Sequence, residues 1–194
     1  MKVYNGLRRS KAVNIFFLDN DPTLAAQAQC NKHVIKMILE STQLLCTTHH
    51  ITGQVELPER FYKATHKNHP SSKWVREHNS NYDWLVLHAL SLCDEYTYRY
   101  GKIHKSEEII RWCFNNHAHV RSWRYSENMM YPVNDYEVNK NFWITKPALA
   151  MPDEYKCDDP VESYRRYYTE CKRNTIDMRW TRRDPPKWWP NENV

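Results

Sequence analysis

Between Pro22 and His49 the chain reads as one long helix, apolar on almost every side and polar along a single stripe. With His33 placed at zero on a wheel of about 100° per residue, Lys36, Glu40 and Gln43 fall in one narrow sector, joined by Gln29 and Thr47. Val34, Ile35, Ile38, Leu39, Leu45 and Cys46 occupy most of the remaining wheel, and Met37 and Leu44 flank the stripe. A helix apolar nearly all round is usually buried, so the chain is expected to build a helical body around this element. The stripe must then meet water, a cleft or buried polar partners. Asp21 supplies an N-cap and Pro22 a first helical residue, which marks where the helix begins.

Upstream, Val13–Leu18 (VNIFFL) is short, apolar and β-prone, which suits a strand or a buried extended segment. A second long helix is expected to follow Pro70-Ser71-Ser72 and to end before Gly101, a good C′ residue. Ser106, followed by Glu107 and Glu108, starts a third. Residues 124–150 lack clear periodicity and contain Pro132 and Pro147, so they read as a long ordered loop. Asp159-Pro160-Val161-Glu162 has the form of a capping box that opens a helix to about Asn174. The tail Pro185-Pro186-Lys187-Trp188-Trp189-Pro190 cannot be regular helix. The fold expected is mainly α: a compact single-domain helical fold with a short N-terminal extended segment and a wrapped C-terminal tail. The divisions are a basic leader over 1–12, a helical domain over 13–180 and a Pro/Trp-rich tail over 181–194.

Composition removes several classes of function. With 3 Gly in 194 residues there is no GxGxxG or Walker pattern to cradle a phosphate. The 6 Cys include no CxxC pair, and the polar, basic start is not a secretory signal, so the thiols read as reduced and the protein as cytosolic. No apolar run approaches a membrane span, and no membrane partner is expected. The net charge of +5 is compatible with a nucleic-acid partner without demanding one. The 8 Trp and 13 Tyr serve either as stacking platforms or as core volume.

The residue types of the stripe suit proton transfer. A carboxylate in partly apolar surroundings, here Glu40, can act as acid or base. His33 titrates near neutrality when solvated, and the Lys36 amine can form a Schiff base. The alternative is a solvated face with a Lys36–Glu40 ion pair at i,i+4. A second polar cluster, Lys63-Ala64-Thr65-His66-Lys67-Asn68-His69-Pro70, precedes a helix N-terminus, where free N–H groups favour anions. Trp74 and Arg76 lie in the first turns after it. The His66/His69 spacing brings no further ligands with it, so neither a metal nor a cofactor is expected. Arg99 closes the second helix as a DNA contact or as the i,i+4 partner of Glu95. Tyr164, Arg165, Arg166, Tyr167 and Tyr168 suit either nucleic-acid stacking or packing against the tail Trp residues.

The stretch Asn14–Gln43 (NIFFLDNDPTLAAQAQCNKHVIKMILESTQ) resembles the start of the phage pyrimidine-dimer DNA glycosylases of the T4 endonuclease V type. Those enzymes open with a short extended segment, then a helix bearing a His and, seven residues on, a catalytic Glu; His33 and Glu40 have that spacing. Asn68-His69-Pro70 and the helix ending at Arg99-Tyr100-Gly101 resemble the family's His-containing turn and the helix after it. The chain is also similar to a group of uncharacterised tailed-phage proteins carrying KHVxKMxxE, THxNHP and MPDEYK motifs. The glycosylase resemblance implies a compact all-helical fold and cleavage of the N-glycosidic bond of a damaged pyrimidine. It also implies an N-terminal amine as nucleophile and the Glu as acid/base.

Two departures bear on that mechanism. The 12-residue leader and Val13 precede the matching stretch, and Gln43 stands where the family carries an Arg. Val13 as an internal start, or the side-chain amine of Lys36 or Lys67, would restore a nucleophile. The function expected is a phage DNA-base enzyme, glycosylase-like or base-modifying, in the cytoplasm of the infected bacterial host. Glu40, His33 and Lys36 would be catalytic, and Gln43, His66, Lys67, Asn68, His69, Trp74, Arg76 and Arg99 would contact DNA. The alternatives are a small-molecule nucleotide-processing enzyme and a non-enzymatic phage protein binding a nucleotide or host factor.

Overall fold

The computed structural model describes residues 13–53, 56–118, 120, 129–135 and 140–190; the expected leader and the last four residues of the tail lie outside them. Asp21 caps as expected, its carboxylate accepting the N–H groups of Thr23 and Leu24. The helix it opens is short, however. Helix α1 spans Pro22–Gln27 and α2 spans Asn31–Thr52, so the single helix expected over this stretch is two. The break has a long-range cause. The Cys30 N–H donates to the Tyr168 hydroxyl at 2.9 Å, and the Asn31 N–H donates to the Arg179 carbonyl at 2.8 Å. Amides that a continuous helix would use internally are taken by residues far along the chain, which local propensity cannot report.

The second expected helix divides in the same way, into α3 (Pro70–Val75) and α4 (Asn79–Tyr100). His78 is extended there, and its Nδ1 accepts the Ser80 N–H at 3.1 Å, capping α4. Asn81 Nδ2 donates to the Trp74 carbonyl at 2.8 Å and so holds the end of α3. Helix α4 ends on Gly101, in the left-handed region at φ 64°, as its sequence position predicts. Helix α5 (Glu107–Asn115) follows Ser106.

Helices α2 and α4 pack against each other, with α1 on α4, α3 beside α2, and α5 on both long helices. Ile15, Leu18, Met37, Ile38, Leu44, Leu45 and Leu85 are fully buried between them, and Phe17 packs on Trp84 at 4.6 Å. The surround of α2 is less uniformly buried than its wheel predicts. Ile35 (42%) and Leu39 (40%) are exposed beside Lys36, because no element packs on that side among the described residues.

Val13–Leu18 is buried as expected, in irregular rather than strand geometry. The Asn14 side chain is the cause: its Oδ1 accepts the N–H groups of Ile15 and Phe16 at 2.8 and 2.9 Å, turning the backbone. Phe16 sits in the left-handed region at φ 45°, which costs about 1–2 kcal/mol for a residue with a Cβ.

The loop expected over 124–150 contains an antiparallel hairpin, β1 (Met129–Asp135) and β2 (Lys140–Thr145). Pro132 within β1 hides the strand from a pattern search. Thr145 anchors β2 to α4, with its Oγ1 2.7 Å from Asn81 Nδ2 and its N–H 3.0 Å from Asn81 Oδ1.

Asp159 opens α6 (Pro160–Arg166), accepting the N–H groups of Val161 and Glu162. Helical turns continue to Asn174, the expected end. The tail then runs irregularly across the start of α2. Asn31 exchanges hydrogen bonds with Thr181 at 2.8 and 2.9 Å, and Trp180 Nε1 donates to the Ala28 carbonyl at 3.0 Å. The basic-aromatic helix packs against this tail: Tyr168 meets Trp188 and Trp189 edge-on, and Arg165 lies 5.3 Å over Trp188. All six cysteines are free thiols, four of them buried. Among the described residues no helix is long and apolar enough to cross a membrane.

Candidate active site

The polar stripe of α2 begins two residues after Asn31, where the tail crosses. His33 is buried, with Phe16 stacked on its ring at 4.2 Å and its Nδ1 2.8 Å from the Tyr168 hydroxyl. That hydroxyl already accepts the Cys30 N–H, so we assign its proton to Nδ1 of His33 and the imidazole proton to Nε2. Burial, reinforced by the Lys172 and then the Lys36 amines, pushes the His33 imidazole down to about 3. The ring is therefore neutral at neutral pH.

Glu40, one helical turn beyond Lys36, is 7% exposed. Its Oε2 accepts the backbone N–H of Asn14 at 2.9 Å. Its Oε1 lies 3.0 Å from the Lys36 amine. The i,i+4 pair read from the sequence is thus real and asymmetric: the carboxylate is buried, while the lysine side chain is 55% exposed. The Asn14 turn aims that backbone nitrogen at the carboxylate, and Asn14 Nδ2 is held in turn by the Ala150 carbonyl at 2.9 Å. A buried carboxylate carrying one accessible amine can take a proton from it and return one to a reacting group.

Gln43 is half-buried on the same face. Farther along it, Thr47 exchanges hydrogen bonds with the backbone of Thr65, at 2.9 and 3.0 Å. This docks the second polar cluster about 10 Å of helix rise beyond Glu40. His66, Lys67 and Asn68 of that cluster are exposed. His69 is half-buried, and its Nδ1 accepts the Ser71 N–H at 3.2 Å; burial, then His66, lowers its pKa. His69 itself caps the helix start there and takes the Ser71 amide.

Three other expected DNA contacts are engaged elsewhere. Trp74 is buried, its Nε1 donating to the Thr145 carbonyl at 3.2 Å. Arg76 folds back on Ser72 Oγ (2.6 Å) and the Lys67 carbonyl (2.7 Å). Arg99 is buried against Glu95 at 2.7 Å, with further bonds to Asn31 Oδ1 and the Gln27 carbonyl. The structure brings His33, Lys36, Glu40 and Gln43 onto one face, and leaves Trp74 and Arg99 in the packing.

Reading the sequence alone missed Asn14, Phe16, Tyr168 and Lys172 as companions of the stripe. Asn14, a lone polar residue heading an apolar run, was the one with a visible signal. Tyr168 and Lys172 reach His33 only through the fold.

The family described as pyrimidine dimer DNA glycosylase matches residues 13–109, half of the chain. No curated protein and no solved structure gives a match. The matched stretch starts where Val13 enters the core and takes in His33, Lys36, Glu40, Gln43 and the His66–His69 turn. On that match, the chain belongs to the pyrimidine dimer DNA glycosylase family.

Proposed function

We propose that the protein is a DNA N-glycosylase acting on a pyrimidine, with Glu40 as acid/base and the Lys36 amine as nucleophile. The observation that carries this reading is the Glu40 carboxylate, buried, with an accessible primary amine 3.0 Å from one oxygen and the Asn14 amide on the other. Glu40 takes a proton from the Lys36 ammonium, and the freed amine attacks C1′ of the target nucleotide. The C1′–N bond breaks and its electron pair leaves with the base, which takes up the proton shed by the newly alkylated Lys36 nitrogen. Glu40 then returns its proton to the ring oxygen as the sugar opens, leaving a Schiff base between C1′ and Lys36. Neutral His33, with its proton on Nε2, is a donor toward sugar or phosphate. The exposed His66, Lys67 and Asn68 extend the contact along the strand. A cytoplasmic enzyme of phage origin, working on DNA in the infected host, fits this chemistry.

A second reading rests on the same distance from Asn14. In a chain beginning at Asn14, the α-amine would occupy the place of the N–H now 2.9 Å from Glu40. Borohydride trapping on ultraviolet-damaged duplex DNA, followed by peptide mapping, decides between them. The expected result is an adduct on the peptide holding Lys36, absent from Lys36→Gln. An adduct on an Asn14 amine supports the second reading. No adduct, together with no release of base, overturns both.

A further inference from the structure

The net positive charge of this chain lies outside the family-matched half. Residues 13–109, the family-matched half, carry ten Lys and Arg against eleven Asp and Glu. Residues 160–190 carry eight against four. A strand of DNA is held largely through phosphate neutralisation, and the matched half has no net positive charge for that.

The tail builds a cleft of about 1030 Å³ from its own turn, the side of α1 and Arg165. Trp180 and Trp188 line it with Arg182, Arg183, Asp184 and Lys187. Some of its cations are already spent on carboxylates: Arg165 pairs with Asp19 at 3.0 Å and Arg183 with Glu95 at 2.6 Å. Arg182 is exposed, and its guanidinium bonds only the Tyr98 carbonyl, at 3.1 Å, among the described residues. Lys187 is exposed and makes no ion pair among them. Arg182 is also held at φ 59°, a left-handed conformation unfavourable for an L residue, which fixes the turn that presents both cations.

We propose that this cleft binds the phosphate backbone of a DNA strand flanking the target nucleotide, with Arg182 and Lys187 on phosphates and the Trp188 indole against a base or sugar. The proposal rests on the glycosylase reading for its ligand. It places a main anchor outside the family-matched half. The span between the two places is short, because the tail crosses Asn31, about 14 Å of helix rise before Glu40 on the same helix. Indoles beside unpaired cations suit a nucleic-acid strand better than an acidic peptide, which offers charge without rings to stack.

The test is a salt titration of binding to a 20-mer duplex by fluorescence anisotropy, comparing the full chain with Arg182→Gln/Lys187→Gln. Each lost phosphate contact lowers the slope of log K against log salt by about 0.9, so a fall of about 2 is expected, with affinity down tenfold or more at 0.1 M salt. The exposed positions of both side chains make loss of folding avoidable, and a melting curve on the double variant checks it. Trp188→Phe, which keeps a ring against Arg165, is expected to lose less than Trp188→Ala. An unchanged slope in a folded double variant overturns the cleft while leaving the glycosylase reading intact. A full chain that releases base but shows no salt-dependent binding also overturns it. Displacement of the duplex by poly-glutamate at equal charge concentration would assign the cleft to an acidic protein instead. A full chain that neither binds DNA nor traps on it defeats the glycosylase reading itself.

Discussion

Replacing Glu95 by Gln tests whether Arg99 is a structural cation or a DNA contact. Glu95 is 3% exposed and sits between two guanidiniums. Arg99 Nε approaches Oε1 at 2.7 Å, while Arg183 binds both oxygens at 2.6 and 2.7 Å. A Gln removes the only carboxylate paired with Arg99 among the described residues, and turns an N–H₂ group toward a cation. Arg99, 2% exposed, keeps its neutral bonds to Asn31 and the Gln27 carbonyl, but its charge is left uncompensated. Removing one partner of a buried pair costs about 3–5 kcal/mol. The Arg183 arm is 30% exposed and solvent-screened, so Arg183→Gln should cost only about 1 kcal/mol. At roughly 2–4 °C per kcal/mol for a chain of this size, Glu95→Gln should lower Tm by about 6–20 °C, several times the effect of Arg183→Gln. Urea and thermal unfolding of the two variants measure this. A Glu95→Gln protein within about 1 kcal/mol of the parent would refute the reasoning. An Arg99→Gln protein of normal stability but weakened DNA binding would return Arg99 to the DNA surface.

Three further outcomes are expected. Glu40→Gln should lower base release by about 10²–10⁴-fold while costing no more than roughly 1.5 kcal/mol, because the amide oxygen still accepts the Asn14 N–H; comparable losses in rate and folding would make the residue structural. Tyr168→Phe should destabilise by about 2–4 kcal/mol, since it strips partners from the buried Cys30 N–H and His33 Nδ1 together, and a melting curve unchanged from the parent would contradict the assigned network. His33, His49 and His88 are pushed down by burial to about 3, 4 and 4. Their neutral native forms favour folding fully above the unfolded value near 6.5, and that contribution is lost as pH falls toward the folded values. Urea midpoints should therefore drop steadily from pH 6.5 to 4, by up to about 1.4 kcal/mol per unit for each histidine; a flat profile to pH 5 would exclude it.

Much of this fold was legible because its signals are local. Asp21-Pro22, Asp159-Pro160 and Gly101 each fix an element end through their own backbone chemistry. The break at Ala28–Cys30 was not, since the groups that stabilise it come from Tyr168 and Arg179; the break at Arg76–His78 rests on His78 and Asn81 close by, through side-chain bonds that helical periodicity does not register. The hairpin escaped for a different reason: a proline inside β1 removes the usual strand pattern. Within the site, helical spacing alone put Lys36 on Glu40. The same spacing paired Arg99 with Glu95, and burial is what separates the two pairs, one half open to solvent and one sealed. Spacing carries no information about burial, so the sequence offered Arg99 equally to DNA and to the core.

The hydrogen bonds that seat the tail on the start of α2 also set an order of events during synthesis. Cys30 waits for Tyr168, 138 residues later, and Asn31 waits for Thr181, 150 residues later. At about 5–20 residues per second on the ribosome, the first turn of the helix that bears Lys36 and Glu40 goes roughly 7–30 seconds without its final partners. A nascent or prematurely ended chain can collapse its apolar segments, yet it lacks the last clasp on that helix. Nonsense mutations far downstream of Glu40 should therefore inactivate the protein as thoroughly as changes beside it.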